Sequence, residues 1–193
     1  MCWFGSGRID KGRKTKMSGE KNQVLENMKT RRSIRKYKPD MVPKEIIEKI
    51  AEAGTYAATG MGKQSPIIIA VTNKELRDRL SKMNAQVMGS NSDPFYGAPV
   101  VLIVLANKNY GTYVYDGSLV MGNLMLAAHE LGIASCWIHR AKEEFESPEG
   151  KQILKDLGIT GDYEGIGHCI LGYADCEEPT AAPRKENYVI FAE

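Results

Sequence analysis

The chain has 193 residues, is 42% hydrophobic and 26% charged, and carries a net charge of +2, which fits one globular domain with a sizeable core. That charge is uneven: residues 1–16 set Arg8, Lys11, Arg13, Lys14 and Lys16 against Asp10, a net +4, which leaves −2 for the remainder. A body so close to neutral argues against nucleic acid as the main partner, because duplex binding needs many clustered cations.

Residues 1–22 read as a disordered basic leader, native or derived from cloning, with almost nothing to bury. Met1-Cys2-Trp3-Phe4 is too short for the apolar region of a signal peptide and precedes its charges. The body, 23–193, reads as a single domain.

Helix and strand signals alternate through that body. A helix begins at 24–29 and ends near a basic run, Arg31-Arg32-Ser33-Ile34-Arg35-Lys36-Tyr37. Pro43 suits a first helical position, and Ile46, Ile47, Ile50, Ala51 and Ala53 recur at helical spacing, so 43–56 is a second helix. Thr59-Gly60-Met61-Gly62 is a flexible loop. The branched run 66–72 predicts a strand buried on both faces, and 74–87 an amphipathic helix. Residues 94–99 form a turn-rich loop with exposed-looking aromatics, and 100–106 a second fully apolar strand.

The strongest helix covers 116–131, with Asp116 or Ser118 as its cap and Gly132 as a left-handed stop. Its apolar residues run round the whole circumference. That pattern fits either a subunit interface over one face or a central core helix. Ala134–Ile138 is a short strand, Ser147-Pro148-Glu149 opens a helix to Leu157, and 166–173 is a buried strand. A polar stretch, 174–187, leads to a candidate edge strand at 188–191. The expected class is α+β, a three-layer sandwich and not a doubly wound sheet.

No run approaches the ~18 apolar residues of a membrane span. Cys2, Cys136, Cys169 and Cys176 form no C-x-x-C pair, and they read as reduced thiols of a cytoplasmic protein. His129, His139 and His168 are too scattered for a metal site. No Gly-x-Gly-x-x-Gly follows a strand, and there is no phosphate loop, nucleophile elbow or His-Glu-x-x-His. An enzyme lacking every self-sufficient catalytic motif relies on a cofactor. The basic run points to an anion, since an Arg fork offers paired N–H donors to phosphate oxygens; the alternative is a solvated basic turn.

The order of motifs is specific. Arg31-Arg32-Ser33-Ile34-Arg35-Lys36-Tyr37 is followed by Gly60-Met61-Gly62-Lys63-Gln64-Ser65-Pro66 entering a strand, and by Gly97-Ala98-Pro99-Val100-Val101 entering another. Then come Asn123-Leu124-Met125-Leu126-Ala127-Ala128-His129-Glu130-Leu131-Gly132, Ser135-Cys136-Trp137-Ile138, Ile170-Leu171-Gly172-Tyr173 and Pro183-Arg184-Lys185. Over residues 24–191 this resembles the FMN-dependent nitroreductase family.

The resemblance implies an α/β/α sandwich with a mostly antiparallel sheet, and a domain-entwined homodimer with FMN at the subunit interface. It implies Arg31, Arg32, Ser33 and Arg35 at the flavin phosphate and ring edge. It also implies Gly62, Lys63 and Gln64 along the ring and ribityl chain, Trp137, Ile138 and His139 over the flavin face, and Arg184 and Lys185 at the phosphate. The family usually carries Asn where Gly62 stands and Pro-Trp where Ser65-Pro66 stands. The implied chemistry is ping-pong hydride transfer from NAD(P)H through FMN to a nitroaromatic, quinone or similar acceptor, with no protein nucleophile. Hydride reduction leaves negative charge at the flavin N1, which Arg35 and Lys63 could offset. Phe95, Tyr96, Tyr113 and Tyr115 are candidates for the acceptor wall. Rival readings are a flavin-binding or redox-sensing module with little turnover, a dehalogenating or ene-type member of the fold, and a basic-tailed nucleic-acid binder.

Overall fold

The computed structural model describes residues 22–193. The leader therefore lies outside the described residues except for Asn22. That residue belongs to the body: its side chain accepts the Leu25 N–H at 3.1 Å and caps helix α1, Gln23–Thr30. The remaining elements are α2 (Lys44–Thr55), β1 (Pro66–Val71), α3 (Lys74–Met88), β2 (Val100–Asn107), α4 (Tyr113–Glu130), β3 (Ala134–Ile138), α5 (Ala141–Glu146), α6 (Pro148–Asp156) and β4 (Tyr163–Gly172).

The four strands form one sheet in the order β1-β2-β4-β3, and every pairing is antiparallel. Alternation along β2 divides the core. Val101, Ile103 and Leu105 pack with α3, α5 and α6, while Val100, Leu102, Val104 and Ala106 pack with α2 and α4. Helices therefore cover both faces, and the expected three-layer α+β sandwich is the one observed.

Local rules account for most boundaries. Asn73 caps α3, and Gly89, at φ 67°, ends it in the left-handed conformation. Ser147 accepts the Gly150 N–H and Pro148 opens α6. Gly132, at φ 72°, follows α4 as expected.

Several expectations are corrected. Pro43 is the cap of α2 and not its first residue. The helix placed at 116–131 starts at Tyr113, so Asp116 lies inside its first turn and is no cap. β1 is an edge strand and only half-buried; branched residues report a pleated surface, not the number of neighbouring strands. β4 begins at Tyr163, and α5 has no counterpart in the sequence reading. Residues 188–191 form no strand: Tyr188, Val189, Ile190 and Phe191 are 68–83% exposed and pair with neither edge of the sheet.

Candidate functional site

After α1 the basic segment runs beside β3. Ser33 bridges Ser135, the Ile34 N–H donates to the Ser135 carbonyl at 3.1 Å, and Tyr37 bridges Ala174. Ile34 and Tyr37 enter the core, and the Tyr37 hydroxyl donates to the Ile34 carbonyl at 2.8 Å. Burial pushes that phenol well above its ordinary range. With Ile34 and Tyr37 anchored inward, Arg35, Lys36 and Lys38 are exposed, while Arg31 and Arg32 are half-buried.

The two leading arginines have different jobs. Arg32 is committed to the main chain: its Nη1 donates to the Lys29 and Arg31 carbonyls at 2.7 and 2.8 Å, and its Nε to Pro179 at 3.1 Å. Arg31 instead has a buried Nη1 without a hydrogen-bond partner among the described residues. Two clefts share this pair. One, of about 260 Å³, adds His129, Ser135, Cys176 and Glu178. The other, of about 660 Å³, adds Ser33, Ala182 and Arg184. The Thr30 hydroxyl donates to the Glu26 carbonyl at 2.8 Å, so it accepts from the His129 Nε2–H at 2.9 Å. Lys185 is turned over the Tyr188 ring, 5.2 Å from its centre.

Gly62, Lys63 and Gln64 lie elsewhere, on an exposed loop ahead of β1. Gln64 lines a largely apolar cleft of about 460 Å³ with Thr55, Ala57, Ile67 and Val120. That cleft shares no residue with the cationic pair. The arginines flank β3 and this loop leads into β1, the two outer strands, which four-strand spacing separates by about 14 Å. One chain does not bring the halves together.

The stretch after β3 is set by a buried polar network. Trp137 is half-buried against Gly167, where a Cβ would come within 2.5 Å of the indole nitrogen. Ile138 is in the core, so only its main chain is free to meet a ligand. His139 is exposed, and Arg140 adopts a left-handed φ of 78°. Fully buried Asn84 grips both: its amide donates to the His139 carbonyl at 2.8 Å, and its oxygen accepts the Arg140 Nε at 2.9 Å. Asn84 also donates to Glu144, which accepts His168 Nε2 at 3.0 Å. Glu144 Oε2 and His168 Nδ1 have no partner among the described residues. Sequence reasoning missed Asn84 and Glu144; the only signals were an amide within α3 and an acid in a short helix.

Phe95 is a correction among the aromatics proposed for the acceptor wall. It is fully buried, its ring tilted by 57° against His168 at 5.2 Å and lying beneath Arg77, because Asp93 folds the 93–97 turn inward. Tyr96 remains 41% exposed on that turn, and Tyr115 is 72% exposed on α4. Tyr113 is half-buried, its phenol pushed up by desolvation and by the nearby Glu164 charge. Arg35 is exposed beside Cys136. Burial pushes the Cys136 thiol up, against the pull of Arg35, Ser33 and Arg31, and pushes Cys169 up further. Neither offers a thiolate nucleophile at neutral pH. Among the described residues no group of three or more His, Cys, Asp or Glu could hold a metal, and no helix is long and apolar enough to cross a membrane.

Residues 28–173 match the family model described as "Nitroreductase family". A protein of Methanothermobacter thermautotrophicus, provisionally named NADH dehydrogenase/NAD(P)H nitroreductase, is 34% identical over 126 residues, 61% of each chain. A protein of the same provisional name from Archaeoglobus fulgidus is 33% identical over 160 residues, 81% of this chain and 88% of that one. The crystal structure of a Bacteroides fragilis nitroreductase with bound FMN superposes with a TM-score of 0.77 at 30% identity, over 89% of this chain and 100% of that one.

Proposed function

The chain belongs to the nitroreductase family, and from that premise we propose that two copies bind FMN between them and pass hydride from NAD(P)H to a nitroaromatic, quinone or similar acceptor. The observation that carries this reading is Arg31. Arg31 lines a cleft with Arg184, and its buried Nη1, which has no partner among the described residues, is an unmet donor of the kind a phosphate oxygen satisfies. The residues therefore fit the cofactor.

FMN, when bound, supplies the two-electron chemistry between the nicotinamide and the acceptor. The chain supplies the rest. Arg31 and Arg184 hold the phosphate, with Ser33 beside them, and Arg32 keeps the surrounding main chain in place. Lys63 and Arg35 provide positive charge where reduction builds negative charge. Trp137 and the 138–139 main chain border the ring face, and Gln64 its edge. Tyr96, Tyr113 and Tyr115 are left for the acceptor side. Donor and acceptor visit one place in turn, so reciprocal plots run parallel.

The second copy follows from what one chain leaves open. On α4, Val114, Tyr115 and Leu119 are 40, 72 and 51% exposed, and α1 exposes Val24, Leu25 and Met28. An apolar patch of this kind marks a contact surface. A domain-entwined homodimer covers it and brings the Lys63 loop of one copy to the Arg31 cleft of the other. The reading takes 23–193 as one flavin-binding domain of a cytoplasmic enzyme.

The test is the visible spectrum of the purified protein, with anaerobic NADH and then NADPH, followed by an acceptor. Flavin bands that bleach and return are expected. No bands, together with no quenching of added FMN fluorescence, would sink the reading. Arg31→Ala should weaken FMN about 100-fold, the scale of a charge-assisted bond, and riboflavin, which lacks the phosphate, much less.

A further inference from the structure

We propose that Asp116 is a positioning residue that fixes the 60–65 loop, and with it Lys63, against the flavin ring; this rests on the FMN reading above. Asp116 is 2% exposed. Its Oδ1 accepts the Gly60 N–H at 3.0 Å, and its Oδ2 accepts the Ser65 hydroxyl at 2.7 Å and the Thr112 hydroxyl at 3.2 Å. No cation pairs with it among the described residues. A buried carboxylate held only by neutral donors is uncommon. Burial opposes its ionisation, but the bonds from Ser65, Gly60 and Thr112 outweigh burial and keep it below the usual carboxylate range.

Those bonds reach both ends of one loop. Between Gly60 and Ser65 the backbone is left-handed at Met61 (φ 51°), Gly62 (66°) and Gln64 (50°). For Met and Gln that conformation costs about 1 kcal/mol or more each, so it persists only where the surroundings enforce it. The loop's own bonds are few: the Gly62 N–H to the Thr59 carbonyl, the Lys63 N–H to the Gly60 carbonyl, and the Gln64 N–H to the Thr59 hydroxyl. The clamp is closely fitted, since a Cβ at Gly60 would fall 2.2 Å from Thr112 Oγ1.

The anchor is itself referenced to the sheet. The next residue, Gly117, sits on Ile166 of β4, where a Cβ would come 2.5 Å from that side chain. The carboxylate thus transfers the position of the sheet to an exposed loop. Lys63 gains a defined location although its side chain has no partner among the described residues, and Gly62 needs no side-chain bond of its own.

The test uses Ser65→Ala and Thr112→Val, which each remove one bond and keep the carboxylate, alongside Lys63→Ala. In flavin-free protein both should speed amide exchange at Gly60 and Lys63 by about tenfold while leaving the α3 amides unchanged. In holoenzyme Ser65→Ala should weaken FMN about tenfold and lower its midpoint potential in the same direction as Lys63→Ala. The double variant Ser65→Ala/Lys63→Ala should be no worse than Lys63→Ala alone. Unchanged loop exchange, or effects on potential that add, would overturn the proposal. Wild-type protein that takes up no FMN would overturn the reading beneath it and this inference with it.

Discussion

The two faces of the sheet are finished to different degrees. Beneath α3, α5 and α6 the core is closed, and even its polar groups lie inside: Asn84, Glu144 and His168 are each at most 1% exposed. Over α2 and α4 the core is equally tight at Met121 and Leu124, but on the same helix Tyr115 and Leu119 stand open. The exposed loop carrying Lys63 is tied to this second side through Asp116. One face is a completed core; the other exposes apolar side chains that the proposed second copy would cover.

The comparison breaks first on the open face. Leu119→Arg places a charge where the proposed partner sits; an unpaired buried charge costs about 3–5 kcal/mol. Sedimentation should show monomers, and flavin content should fall at least tenfold. A dimer retaining its FMN would mean that the face is not an interface. On the closed face Glu144→Ala leaves the Asn84 and His168 donors unpaired, a loss of roughly 2–3 kcal/mol. Urea unfolding should detect it while the oligomeric state stays unchanged.

Acid sharpens the contrast within each face. Asp93 is opposed by burial but pulled down by Ser81, Arg77 and the Gly97 and Phe95 N–H groups, and Asp116 is also held low. Carboxyls with depressed folded-state values contribute stability that is full above the unfolded value of about 3.9 and is lost as pH falls through the folded one. Thermal unfolding should be flat above pH ~4 and decline below it, and Asp93→Asn should flatten that decline. The smallest effect is Met61→Gly. Met61 is 91% exposed and left-handed, so glycine relieves strain at the loss of little contact and raises stability by at most about 1 kcal/mol.

What the sequence disclosed depended on the range of the interaction. The apolar run of β2 and the cap of α6 are local signals, and both are placed within a residue or two. Asp116 resembles a cap in sequence because a short acid opens an apolar run; its actual partners lie 51 and 56 residues away and leave no local trace. Arg31 and Arg32 are indistinguishable as letters, and only the carbonyls of Lys29 and Pro179 separate the structural arginine from the free one. Phe95 looked exposed because its turn is polar, yet Asp93 and Arg77 fold that turn inward. His168 read as a scattered packing histidine; its acid partner Glu144 is 24 residues distant on another element.

The β2–β4 ladder slips once, between Val104 and Leu105, where the facing residues pass from Gly167 to Gly165 and leave Ile166 unpaired. Side chains alternate along a strand, so one extra residue inverts the phase of everything beyond it. Gly165 accordingly faces Ala141 on the closed side, whereas Gly167 faces Trp137 and Ile166 meets Gly117, both on the open side. β4 is two half-strands of opposite parity joined at a single insertion. Deleting Ile166 would close the bulge into one regular ladder, since Gly165 and Gly167 already face the neighbouring Leu105 and Val104, and both halves would keep their sides at the loss of the Ile166 contact with Gly117. A deletion at any other position within the paired part of β4 would instead turn the residues beyond it to the wrong face.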